Sequence, residues 1–124
     1  MKSSVYMSLQ RRPVLRLRQK GGTQMVVEFS IMPVGKGESL SGDVAEAIRL
    51  VAESGLAYRV GPMSTAVEGD WEEAMGLIKR CRDKMLQKAH RVYMVIKIDD
   101  RKDATGRLTG KIKSVEEKLG KSLK

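Results

Sequence analysis

Four side chains stand at spacings that let them meet on one surface: Glu28 and Ser30 in the run Val26–Ile31, and Thr65 and Glu68 in the run Ser64–Glu68. Lys97 and Asp99 end a third run that begins at Val92, and Tyr58 and Tyr93 add aromatic faces nearby. Carboxylates accept hydrogen bonds from an amino group and balance a cation, and hydroxyls donate, so the set has the chemistry of a small-molecule site. The alternative is an ordinary solvent-facing sheet with cross-strand ion pairs such as Glu28 with Lys97. Pattern alone leaves both open.

Other chemistries have fewer parts. The chain contains one cysteine, Cys81, and one histidine, His90. Serine triads and multi-histidine or multi-cysteine metal sites therefore lack components, and an internal disulfide is excluded. This cysteine usage fits a reducing compartment, and a cytoplasmic location is expected. Cys81 falls on the apolar stripe of a helical pattern and is expected to be buried and inert. His90 with Asp99 and Asp100 makes a weak metal-binding set. The run Asp99-Asp100-Arg101-Lys102-Asp103 is read as a solvated turn. Gly35-Lys36-Gly37 lacks the fuller glycine spacing and the lysine-hydroxyl ending of a phosphate loop. No catalytic residue and no metal ligand is assigned.

The elements that must position these residues follow from periodicity. From Met25 to Met32, Val27, Phe29 and Ile31 alternate with Glu28 and Ser30, the pattern of a half-buried strand. Pro33, Gly35 and Gly37 end it in a loop where Ser39 or Ser41 can cap a helix and Asp43 suits its positive end. Val44, Ala45, Ile48, Val51 and Ala52 recur at helical spacing until Gly55, which suits the left-handed C′ position with Leu56 packing back. Tyr58–Val60 and Ser64–Glu68 are two short strands joined at the Gly61-Pro62 break. Asp70 stands three residues before Glu73, a capping-box spacing, and Trp71, Ala74, Met75, Ile78, Cys81, Arg82 and Met85 follow at helical steps. Val92, Met94, Ile96 and Ile98 alternate with Tyr93, Val95 and Lys97 in a fourth strand. Leu108, Ile112, Val115 and Leu119 mark a basic C-terminal helix.

This order predicts an α+β fold, a ferredoxin-like βαββαβ sandwich. Its antiparallel four-stranded sheet has the first and third strands at the centre, two helices on one face, and an additional C-terminal helix. The other face must be solvated or closed by a partner chain. The chain of 124 residues, 41% hydrophobic and 31% charged, suits one soluble domain, placed at residues 25–124. No apolar run approaches the roughly 20 residues needed to cross a bilayer.

Charge is unevenly distributed. Residues 1–24 hold six Lys and Arg and no acid, so the net +9 of the whole chain falls to +3 for residues 25–124. Three readings compete for this basic tail: a nucleic-acid-binding arm, a transit peptide, and translated upstream sequence. The third is preferred. Lys20-Gly21-Gly22 can be encoded by AAAGGAGGT, a ribosome-binding sequence, with Met25 as the start that follows. Nucleic-acid binding through the sheet is disfavoured, because a sheet that stacks bases needs aromatics on its central strands, and here the first strand offers Glu28 and Ser30.

Several segments together carry a family resemblance. They are Val26-Val27-Glu28-Phe29-Ser30-Ile31-Met32-Pro33 with Gly35 and Gly37; Ser54-Gly55-Leu56 with Tyr58; Pro62-Met63-Ser64-Thr65 with Glu68-Gly69; Arg91-Val92-Tyr93; and Ile98-Asp99-Asp100-Arg101. In this order they make residues 25–121 resemble the small YkoF-like thiamine-binding family, with bacterial, archaeal and fungal members. The resemblance implies a ferredoxin-like fold and homo-oligomers in which sheets of neighbouring chains pack, as dimers or as tetrameric dimers of dimers. It also implies binding of thiamine or its hydroxymethylpyrimidine part as ligand, with no catalysis and no further cofactor. Carried onto this chain, Ser30, Tyr58, Thr65, Glu68 and Asp99 become the pocket residues, with Glu28 and Ser39 behind them. Ser64 departs from the glycine expected before the threonine, and its bulk would narrow the pocket or alter the ligand. The function so implied is that of a carrier or sensor. The alternatives are an oligomeric interaction module with no small ligand, or RNA binding through the basic tail.

Overall fold

The computed structural model describes residues 24–35, 37, 40–102 and 105–123. The basic tail before Gln24, and Ser39 with its proposed capping and pocket roles, lie outside the described residues. The elements are β1 (Met25–Val34), α1 (Ser41–Glu53), β2 (Ala57–Val60), β3 (Thr65–Gly69), α2 (Trp71–Leu86), β4 (Arg91–Asp99) and α3 (Arg107–Leu119). The four strands form one sheet in the order β2-β3-β1-β4, with every neighbouring pair antiparallel. This is the predicted ferredoxin-like topology, with β1 and β3 central.

Alternation along the strands separates two faces. Val27, Phe29 and Val67 point toward α1 and α2 and meet Ala47 and Val51 of α1 and Ala74, Leu77, Ile78, Cys81 and Met85 of α2 in one buried core. Removing each large apolar side chain of this set from water contributes about 1.5–3 kcal/mol, and that drive fixes which strand face turns inward.

The caps are partly as expected. Asp70 and Glu73 form a reciprocal capping box: the Glu73 amide donates to Asp70 Oδ1 at 2.8 Å and the Asp70 amide to Glu73 Oε1 at 3.1 Å. At the end of α1, Gly55 takes φ +83° and Leu56 is buried behind it. The start of α1 differs from expectation, because Ser41 is already the first helical residue and no side chain caps the preceding position, Leu40. Trp71 also differs, being 55% exposed in the overhanging first turn of α2, while Leu77 takes its place in the buried stripe.

Strands β2 and β3 are joined by Gly61-Pro62-Met63-Ser64, closed by the Gly61 amide donating to the Ser64 carbonyl at 2.8 Å. A Cβ at residue 61 would lie 3.0 Å from that carbonyl oxygen, so any other residue here would have to push it back by a few tenths of an ångström. Helix α3 lies on the opposite side of the sheet from α1 and α2, because Glu68 and Asp99, both paired with Val26 on the outer face, contact its first turns. Among the described residues no helix is long and apolar enough to cross a membrane.

Candidate functional site

The outer face of the sheet carries its polar residues in two adjacent rows set by register. One row reads Arg59, Ala66, Glu28, Lys97 from β2 to β4, and the next reads Ala57, Glu68, Val26, Asp99. Helix α3 covers the second row. Glu68, only 5% exposed, accepts hydrogen bonds from the α3 amides of Arg107 at 3.0 Å and Leu108 at 3.5 Å. It thereby supplies the cap that Gly106 cannot, and places negative charge at the positive end of the helix. Asp99 pairs with Lys111 and lies 3.9 Å from Arg107.

Between α3, the sheet and the β2–β3 loop lies an open cavity of about 850 Å³, with Glu28, Ser64, Ala66 and Lys97 along its floor and Arg59 and Lys111 at its sides. Ala66 stands between Arg59 and Glu28 in the first row and leaves room there. Glu28 and Asp99 are the two carboxylates of this space. A hydrogen bond from the Ser64 hydroxyl, and then the Lys97 ammonium 3.0 Å away, hold Glu28 below the usual glutamate range. The hydrogen bond and charge of Lys111, with Arg107 and Arg101 adding smaller charge effects, do the same for Asp99. Both are acceptors at neutral pH.

The seven sequence-named residues do not form one group. Glu28 and Asp99 line the large cavity, and Glu68 lies behind its wall as the cap of α3. Thr65, expected beside Glu68, is opposite Phe29 on the helix-facing side and 8% exposed. Three residues separate it from Glu68, and an odd separation places two strand residues on opposite faces. Thr65 and Ser30 border a second cavity of about 260 Å³ with α1 residues Leu40, Val44 and Ile48. Tyr58 pairs with Val67, so it too is on the helix side, 43% exposed, and it lines neither cavity. Ser39 is outside the described residues.

Sequence reading passed over Arg59, Arg107 and Lys111. For Arg59 the signal was present, since strand parity puts it on the face opposite Tyr58 and Val60, the face shared by Ala66 and Glu28. For Arg107 and Lys111 it lay in their i, i+4 spacing, on the same side of the helix as Leu108 and Ile112. Cys81 has its Sγ 3.7 Å from the Ala47 carbonyl oxygen, and burial pushes its thiol up to about 11. Among the described residues no group of three or more His, Cys, Asp or Glu side chains is placed to hold a metal ion.

These features define a class: a ferredoxin-like domain whose outer sheet face, roofed at one end by a basic helix, forms a recess lined by charged side chains. Residues 27–116 match the sequence profile of a family described as thiamine-binding protein, and the chain belongs to that family. It is 41% identical over 96 residues to a UPF0045 protein of Mycobacterium tuberculosis, covering 77% of this chain and 94% of the relative. The crystal structure of a hypothetical protein from Methanocaldococcus jannaschii is similar with TM-score 0.70 and 35% identity, covering 76% of this chain and 97% of the other. A Thermotoga maritima crystal structure, described as a candidate thiamine biosynthesis or salvage protein, is similar with TM-score 0.61 and 25% identity, covering 74% of this chain and 98% of the other.

Proposed function

We propose that this protein binds thiamine or its hydroxymethylpyrimidine part, without catalysis, in the cavity between the outer sheet face and α3, and acts in the cytoplasm as a carrier or sensor. The observation that supports this most directly is Glu28: an ionised carboxylate, steadied by Ser64 and Lys97, on the floor of a recess of ligand-holding size in a member of the thiamine-binding family. An aminopyrimidine presents an amino group that donates to such a carboxylate and ring nitrogens that accept from a hydroxyl or ammonium.

The cavity is open on one side, and the outer face beyond α3 exposes Met32 by 44%, Tyr93 by 57% and Val95 by 43%. An apolar strip of this kind calls for a cover, and a second copy of the chain, in a dimer or a dimer of dimers, would both bury it and exclude water from the ligand. This closure is part of the proposal.

Calorimetric titration with thiamine and with hydroxymethylpyrimidine tests it. The native protein is expected to bind at least one of them, and Glu28→Gln to weaken binding by about tenfold or more, the worth of a hydrogen bond to a charged group. Protonating Glu28 removes the acceptor, and because its pKa is lowered in the fold, affinity should hold steady as pH falls to about 5 and decline only below the ordinary glutamate range. Unchanged affinity in Glu28→Gln would remove the assigned site. Oligomers that bind neither compound at high concentration would leave an interaction module instead.

A further inference from the structure

The cavity holds more positive charge than a cationic vitamin calls for. Its lining contains Arg59, Lys97, Arg107 and Lys111 against the two carboxylates Glu28 and Asp99. Glu68 stands behind the wall with its oxygens occupied by the α3 amides. Lys97 is matched by Glu28 at 3.0 Å, and Lys111 and Arg107 both face Asp99. Arg59 is left over. Among the described residues it makes no ion pair and no side-chain hydrogen bond, although Glu28 lies on its own row. Ala66 separates the two, which puts Arg59 two strand spacings, about 9.6 Å, from the strand of Glu28.

We propose that the site takes its ligand as a phosphate monoester, with Arg59 receiving the phosphoryl group while Glu28 receives the aminopyrimidine. The inference rests on the thiamine-class reading above and extends it to the ligand's charged end. A guanidinium presents a planar fork that pairs two phosphate oxygens at once, and a phosphate monoester carries roughly −1.5 to −2 at neutral pH, which answers the surplus of the lining. The carboxylates in the same recess argue against a ligand that is anionic throughout. One end must donate or be cationic and the other must be anionic, and the row Arg59-Ala66-Glu28 separates those demands by more than one ring's width. Arg59 is on an edge strand beside Gly61 and Pro62, so its side chain can swing without disturbing the core.

The full chain should be titrated calorimetrically with thiamine, thiamine monophosphate and inorganic phosphate. Thiamine monophosphate is expected to bind about tenfold more tightly than thiamine or better, with the advantage shrinking as salt is raised. In Arg59→Gln that advantage should fall to under about threefold, and Arg59→Lys, which keeps the charge but loses the fork, should restore part of it. Thiamine binding with no phosphate advantage, or an advantage that survives in Arg59→Gln, overturns this inference and leaves the proposed function standing. Failure of thiamine and hydroxymethylpyrimidine to bind, with inorganic phosphate still bound through Arg59, overturns the function and leaves the anion site. Failure of all ligands overturns both.

Discussion

Ser64 carries a hydroxyl where the family resemblance leads one to expect glycine, and that hydroxyl, beside Glu28 in the cavity lining, helps to hold the carboxyl below the usual glutamate range. The extra atoms therefore favour the ionised carboxylate as well as occupying space. Its neighbour Thr65 turns the other way, into the helix-facing side, and lines only the smaller cavity, whereas Ser64 borders both. Cys81 shows the opposite case, a reactive group type silenced by its surroundings. With its thiol pushed up to about 11, only roughly one molecule in ten thousand is thiolate at pH 7. A thiol-specific reagent at neutral pH is expected to leave the native protein unmodified and to label Cys81 once guanidinium unfolds the chain. Fast labelling of the native protein would contradict the buried position.

At the scale of elements, α3 is the weak member of the fold. It has no fully buried residue, and its first turn is tied to the sheet by Glu68 and Asp99. Glu68→Ala should remove the cap, lowering stability in urea by about 1 kcal/mol, the usual worth of an N-terminal cap. The same substitution should speed hydrogen exchange of the α3 amides more than those of α2, whose own capping box is untouched. Equal effects on both helices would mean that α3 is held by other contacts. Since α3 roofs the cavity, the variant should also bind thiamine more weakly, through a displaced wall.

For the whole molecule, the uncovered outer face decides the expected assembly. Met32, Tyr93 and Val95 form a strip beyond the reach of α3, and Met63 at the hairpin tip is 86% exposed. Sedimentation equilibrium is expected to give dimers or dimers of dimers. Placing like charges on the strip with Tyr93→Glu and Val95→Glu together should shift the equilibrium to monomers, since burying unpaired charges at an interface opposes association. A native protein that stays monomeric at high concentration would count against closure of the cavity by a second copy.

Much of the fold was written locally. The alternation of Val27, Phe29 and Ile31 with Glu28 and Ser30, the capping box of Asp70 and Glu73, and the stop at Gly55 each encode an element within a few residues, and together with short connections they leave one common topology. Glu28 facing Lys97 was also foreseeable, because cross-strand neighbours follow from parity and order. Thr65 and Tyr58 were misplaced although simple parity already put Thr65 on the face opposite Glu68. What only the tertiary structure decided is where α3 docks: no local pattern says that Glu68 will cap a helix 39 residues later. Register and chain geometry, acting over that distance, bring Arg107 and Lys111 to the row of Asp99 and turn an open sheet face into a cavity.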